Sequence, residues 1–312
     1  MAISYHNLSL APSSLREYNR HISSFRGFCE SNSVFVTSQN VQTLISDFLV
    51  MKAQKAVRPE SMLRSVVAAL KHYCLATLSH DPIDAHMNRL IKGLIKAETE
   101  KPRDRTNVMP ITPFVTLFSG WKCNNALSVK DLRQKAVTLL ALSALCRPSD
   151  LAPPSILKRS QLCFHENECL SITFFGVKND YSREGFQVQV KGTDNPAVDP
   201  VKCLQAYMER TEHCVSDIGP LFVTLTSPFH QITPSVVSQT LNKSITDAGL
   251  DKKLYTAKCF RPTGASVLFN EGFSSDEVRR LGRWRSSNVM FDHYITTQQS
   301  ATTALFQSTA MS

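Results

Sequence analysis

Residues 257–295 read AKCFRPTGASVLFNEGFSSDEVRRLGRWRSSNVMFDHYI, and this stretch decides the fold. Its apolar residues fall at helical spacing in short blocks, which Gly272 and Gly282 interrupt. Gly272 is expected to end one helix. Ser274 and Glu277 then form a capping box for the next, in which each side chain satisfies an exposed N–H near the other. Gly282 ends that second helix in turn. Tight packing of short helices and turns is expected to bring Arg261, Trp284 and Tyr294 within reach of one another.

Working backwards, an apolar helix carries Leu132, Leu139, Leu140, Leu142 and Leu145. It is expected to end near Arg147-Pro148, because proline disfavours helical backbone at the residue before it. The segments LSITFFGVK and FQVQV flank NDYSREG, and their alternation around a polar, Gly-containing turn predicts a β-hairpin with Lys178 where the first strand enters the turn. Asp199-Pro200 and Thr233-Pro234 each set a capping residue before proline at the first helical position. The helices they begin carry Val201, Leu204, Tyr207 and Met208, then Val237, Leu241 and Ile245.

The first third of the chain reads as a small helical bundle. Its apolar stripes are Leu15, Tyr18, Ile22, Phe25 and Phe28; Leu44, Ile45, Phe48 and Leu49; Met62, Ala69, Leu70 and Tyr73; and Met87, Leu90, Ile91, Leu94 and Ile95. The polar faces carry Lys52, Lys55, Arg58, Arg64, Lys71, Arg89, Lys92 and Lys96, a set able to track a phosphate backbone. From Glu98 to Pro113 the segment ETEKPRDRTNVMPITP loses periodicity and gathers charge and proline, as an exposed connector does. The expected organisation is therefore a helical domain over 1–100, a linker over 101–113 and a second domain over 114–312. The fold class is mainly α with a small β-hairpin or sheet, α+β overall.

Composition narrows the function. A chain of 312 residues suits two domains, and a formal charge of +9 suits a polyanionic partner, since each neutralised phosphate releases counterions. The nine cysteines are scattered without CxxC pairs, and Cys163, His165 and Cys169 lack a second ligand pair, so reduced thiols and no metal are expected. No apolar run approaches the roughly 20 residues that span a bilayer. The opening MAISYHNLSLAPSS lacks the basic region and apolar block of a signal peptide, so a nuclear or cytosolic rather than secreted protein is expected.

The order of Arg147-Pro-Ser-Asp150, Lys178 in a hairpin, Lys258-Cys-Phe-Arg261, Gly282-Arg-Trp284 and Tyr294 resembles the tyrosine recombinase (phage integrase) family over nearly the whole chain. That family's pattern is Arg with a carboxylate three residues later, a hairpin Lys, His-x-x-Arg, a Gly-His or Gly-Trp step, and then Tyr. Two positions depart from it: Lys258 stands where His is usual, and Pro262 where His or Lys is usual. With the GRW step and the HYI ending, the sequence looks closest to recombinases of eukaryotic mobile elements, the DIRS-type retrotransposons and cryptons.

The resemblance implies a helical core-binding domain, a C-terminal catalytic domain, double-stranded DNA as partner and a homotetramer on that DNA. It also implies strand cleavage and rejoining through a 3′-phosphotyrosine. The residue types suit that chemistry, because attack on a phosphodiester builds negative charge on the non-bridging oxygens. Arg147 and Arg261 would clamp those oxygens, and Trp284 would add an indole N–H. A phenol ionises only near a pKa of about 10, so Tyr294 as nucleophile needs a positive field. Lys178 would protonate the departing oxygen, a role Lys191 on the opposite strand could also fill. Lys258 would assist proton transfer, and Asp150 would orient the basic groups.

Exchange of one phosphate ester for another needs no energy source, and the sequence has neither a Gly-rich phosphate loop nor a two-metal carboxylate cluster, so no cofactor is expected. The alternatives are a captured, catalytically inactive recombinase that binds DNA and a type IB topoisomerase-like activity. The tail TTQQSATTALFQSTAMS over 296–312, with Ala304, Leu305 and Phe306 as an apolar knot, is either a frayed terminus or, as the resemblance implies, a segment that docks on a neighbouring subunit, as tails do in this family.

Overall fold

The computed structural model describes residues 12–56, 59–98, 107–153, 157–177, 180 and 184–296. Arg58, Lys178, part of the expected linker and nearly all of the tail lie outside the described residues. The chain divides into two compact units, Met1–Asp104 and Arg105–Ser312.

The first unit holds four helices: α1 (Pro12–Ser31), α2 (Val41–Gln54), α3 (Pro59–Thr77) and α4 (Ala85–Glu98). The periodic apolar residues meet in one core, with Phe25, Ile45, Phe48, Leu49, Leu63, Val66, Leu70 and Met87 all buried. Phe25 stands edge-on to Phe48 at 5.3 Å between ring centres, an arrangement the aromatic quadrupole favours. Asp84 starts α4 by accepting the Met87 N–H at 2.7 Å.

The second unit is built on α6 (Val129–Ser143), preceded by α5 (Thr112–Ser119) and followed by a three-stranded antiparallel sheet of β1 (Leu162–His165), β2 (Cys169–Phe174) and β3 (Phe186–Lys191). The register sets Phe174 opposite Phe186 and Cys169 opposite Lys191, while β1 pairs Leu162 with Ile172. Strand β1 adds to the expected hairpin; four residues are too few for alternation to announce a strand. Helices α7 (Pro200–Arg210) and α8 (Pro234–Asp247) pack on α6, and both begin as their caps dictate. Asp199 accepts from the N–H groups of Val201 and Lys202 at 2.8 and 3.0 Å, and Thr233 from that of Val236 at 3.3 Å. Thr138 and Ser244 satisfy each other across the buried α6–α8 contact at 2.7 Å.

Three short helices complete the unit: α9 (Phe260–Asn270), α10 (Ser275–Leu281) and α11 (Ser287–His293). They close over a small apolar cluster of Leu145, Ala265, Val278, Trp284, Met290 and Ile295. Helix α6 ends at Ser143, four residues before the expected Arg147, and Leu145 takes a left-handed φ of 48°. No glycine or proline marks that ending. Arginines from the far end of the chain, Arg261 and Arg283, bind the carbonyls released there. Arg147 itself is extended, with φ −84° and ψ 157°, as the following proline requires.

Helix α9 lies against α6 so closely that a Cβ on Gly264 would stand 2.5 Å from the Leu142 carbonyl oxygen and 2.6 Å from Leu145 Cδ2. Backbone cannot yield there. Gly264→Ala is therefore expected to destabilise the protein by about 1–3 kcal/mol, read as a lowered thermal midpoint; an unchanged midpoint would contradict the packing described.

Candidate active site

The turn after α6 and the Asp150 carboxylate organise the site. Asp150, 2% exposed, accepts the Arg147 backbone N–H at 2.9 Å through Oδ2. The same oxygen pairs with Arg283 Nη2 at 2.9 Å and, more loosely, with Arg261 Nη1 at 3.5 Å. Both guanidiniums also serve the end of α6. Arg261 donates to the Leu145 carbonyl at 2.9 Å, while Arg283 donates to Ala144 at 3.0 Å and to Leu145 at 3.2 Å. Helix C-termini carry unsatisfied carbonyls and a partial negative charge, so cations are stabilised there.

Arg261, on the first turn of α9, is 2% exposed. Its Nη2 donates to the Gly282 carbonyl, and its Cζ lies 4.4 Å from the Trp284 ring centre and 5.5 Å from that of Tyr294. Its Nε is buried without a hydrogen-bond partner, and so is the indole Nε1 of Trp284. The Trp284 and Tyr294 rings meet at 4.8 Å.

Tyr294 follows the last residue of α11 and is half-buried. Ser266 on α9 fixes its backbone, donating to the Tyr294 carbonyl at 3.0 Å and accepting from the Thr296 N–H at 2.9 Å. Burial pushes the phenol pKa up, but Arg147, within hydrogen-bonding reach of the oxygen, outweighs it with help from Arg261 and holds the group below its ordinary value of 10. The Trp284 N–H favours the phenolate as well, although it makes no hydrogen bond in this geometry. Burial, then repulsion from Arg147 and Arg283, draws Arg261 down to about 9, which leaves it charged at neutral pH.

The structure thus brings Arg147, Asp150, Arg261, Trp284 and Tyr294 together. Lys258 is exposed on the turn Ala257–Cys259 that leads into α9, and it makes no hydrogen bond or ion pair among the described residues. Lys178 lies outside them.

Arg283 is the residue the sequence reading passed over, as the middle of a Gly-x-Trp step. It occupies the left-handed position after α10, with φ 56°, and the Arg283 and Trp284 N–H groups close the helix on the carbonyls of Arg280 and Arg279 at 3.0 Å each. Glycine normally fills this position, since a side chain there costs about 1–2 kcal/mol. Gly282 ends α10 at φ −80° and is needed for space instead: a Cβ on it would overlap the Trp284 ring.

No protein-family model and no curated protein sequence matches the chain. Solved structures match it over nearly its full length. The XerH site-specific recombinase bound to palindromic difH substrate aligns with a TM-score of 0.66 and 15% identity, over 95% of this chain and 79% of that one. The Tn1549 transposon integrase in complex with transposon right end DNA gives 0.62 and 12%, over 96% and 95%. A lambda integrase dimer bound to a COC' core site gives 0.58 and 12%, over 95% and 94%. The chain has the tyrosine recombinase fold.

In the helical unit of this tyrosine recombinase fold, three basic residues named above are engaged locally: Lys52 with Ser24 at 2.9 Å, Arg64 with Glu60 at 3.1 Å and Lys71 with Asp81 at 2.5 Å. Lys55, Arg89, Lys92 and Lys96 are exposed and make no ion pair among the described residues. Helical spacing sets Arg89, Lys92 and Lys96 along one face of α4.

Loss of Arg147 removes the largest influence favouring the Tyr294 phenolate while burial continues to oppose it. Arg147→Met is expected to raise the ionisation midpoint by about one pH unit or more, leaving roughly tenfold less phenolate at a fixed pH below it. Difference absorbance of the phenolate across a pH series, against the same variant carrying Tyr294→Phe, measures it; an unmoved midpoint would refute the assignment.

Proposed function

We propose that the chain is a site-specific DNA recombinase or integrase that cleaves and rejoins double-stranded DNA through a 3′-phosphotyrosine, and that it serves a mobile element of the DIRS or crypton kind. The observation that carries this reading is the pair of buried donors without acceptors, Arg261 Nε and Trp284 Nε1, gathered around a tyrosine held below its ordinary pKa. A buried donor without an acceptor costs about 1–3 kcal/mol, and an entering phosphate oxygen relieves that cost.

In this reading Tyr294 Oη attacks the scissile phosphorus and forms the P–O bond to the enzyme as the bond to the 5′ oxygen breaks. Arg147 and Arg261 bind the non-bridging oxygens, where charge grows in the transition state. Lys178 delivers the proton to the departing oxygen, and Lys258 exchanges protons with solvent from its exposed turn. The reverse attack by a 5′-hydroxyl restores the phosphodiester and frees Tyr294. The DNA-bound XerH, Tn1549 integrase and lambda integrase structures, at 12–15% identity, support DNA as substrate. Assembly as a tetramer on DNA and a nuclear location belong to the same reading.

The exposure of Lys258 favours a second reading, DNA binding without strand cleavage. A nicked suicide duplex separates the two. Covalent protein–DNA adduct formed by the native chain and lost completely in Tyr294→Phe supports the recombinase; specific binding with no adduct supports the second reading. Replacing Arg89, Lys92 and Lys96 by Gln is expected to weaken DNA binding and to reduce the slope of log affinity against log salt by about one for each phosphate contact removed. A slope identical to that of the native protein would take α4 out of the interface.

A further inference from the structure

Four charged groups meet between the end of α6, α9 and the turn after α10: the buried guanidiniums of Arg261 and Arg283, the half-buried one of Arg147 and the buried carboxylate of Asp150. One carboxylate cannot balance three guanidiniums, so how it is shared decides where the positive charge remains. Asp150 Oδ2 lies 2.9 Å from Arg283 Nη2 and 3.5 Å from Arg261 Nη1. Arg283 takes the tighter share.

We propose that Arg283 is a positioning residue for the anion site: by holding the Asp150 carboxylate it leaves the charge of Arg261 undercompensated beside Tyr294. Three observations carry this. Arg283 is 2% exposed and its Cζ lies 4.3 Å from the Phe174 ring centre, so its guanidinium is held by the sheet on one side and the α6 carbonyls on the other. It keeps a left-handed backbone that glycine would adopt without strain. Arg261, the partner that shares Asp150 with it, lies over both the Trp284 and Tyr294 rings. Arg283 therefore acts through Asp150 and Arg261.

The remaining ionisable groups around the phenol do not disturb this balance. Burial pushes the Cys146 thiol up to about 12, which keeps it neutral, and Arg279 on α10 is paired with Asp276 at 2.6 Å. His293, the residue before Tyr294, is the last residue of α11.

Without Arg283, Asp150 turns its full charge on Arg261, and the field that favours the phenolate falls. The inference rests on the recombinase reading for its purpose, yet its test does not require DNA. The Tyr294 ionisation midpoint is measured by phenolate difference absorbance in the full-length native chain, Arg283→Met, Arg283→Lys, Asp150→Asn and the double variant Asp150→Asn/Arg283→Met, each against its Tyr294→Phe counterpart. Arg283→Met is expected to raise the midpoint by about one pH unit, a tenfold loss of phenolate at fixed pH. Arg283→Lys, which keeps a charge, is expected to retain most of the native value. The double variant, which removes one charge of each sign, is expected to return towards it.

A merely structural Arg283 gives a different result: every substitution lowers thermal stability, but the midpoint stays where it was or fails to recover in the double variant. Either outcome overturns the proposal, and should Arg283→Met not fold, the comparison of Arg283→Lys and the double variant with the native chain decides it. Adduct formation on the nicked duplex is followed in parallel. Absence of adduct in the native chain counts against the recombinase reading alone, while the midpoints still judge Arg283.

Discussion

The charged site of the second unit depends on one buried carboxylate, Asp150. Guanidiniums from three parts of the chain converge there, those of Arg261 and Arg283 buried and that of Arg147 half-buried, and burying even one unpaired charge costs several kcal/mol. Asp150 and the partial negative charge at the end of α6 make the gathering tolerable. They do so incompletely. The residual positive charge is fixed in place before any ligand arrives, and that is the arrangement that lets dipoles and charges stabilise a developing anion without reorganising.

Incomplete satisfaction runs through the site. Arg261 Nε and Trp284 Nε1 are buried donors without partners, Arg283 holds a backbone conformation suited to glycine, and Gly282 is bare so that an indole can fold over it. Each feature costs free energy in the resting protein. Buried donors without partners occur elsewhere too, at Arg133 Nε and Arg159 Nε, but around Tyr294 two of them meet a phenol held below its ordinary pKa.

Local signals made most of the fold legible. The caps at Asp199, Thr233 and Ser274 work within three residues, and the apolar spacing of the first unit needs only a helix to express it. What was not legible has partners far along the chain. Arg261 and Arg283 bind the carbonyls of Leu145 and Ala144, just past the end of α6 at Ser143, and the Arg283–Ala144 bond spans 139 positions. Nothing near residue 144 announces that. Arg283 escaped notice for the same reason: between Gly282 and Trp284 it reads as a spacer, and only its link to Asp150, 133 positions away, gives it a function. Arg147, Arg261, Trp284 and Tyr294 were found through the order of a known pattern, and geometry then brought them together.

Lys258 divides the site in an informative way. Arg261, Arg283 and Asp150 are buried, so each is constrained by the others: exchanging Arg261 or Asp150 would strand a charge in the core. Lys258 is exposed on a turn, with its chain neighbours Ala257 and Cys259 buried in its place. An exposed proton donor exchanges with water and is held to no packing geometry, so its chemical type is constrained by its task alone. A lysine in the place where the resemblance expects histidine leaves the clamp intact.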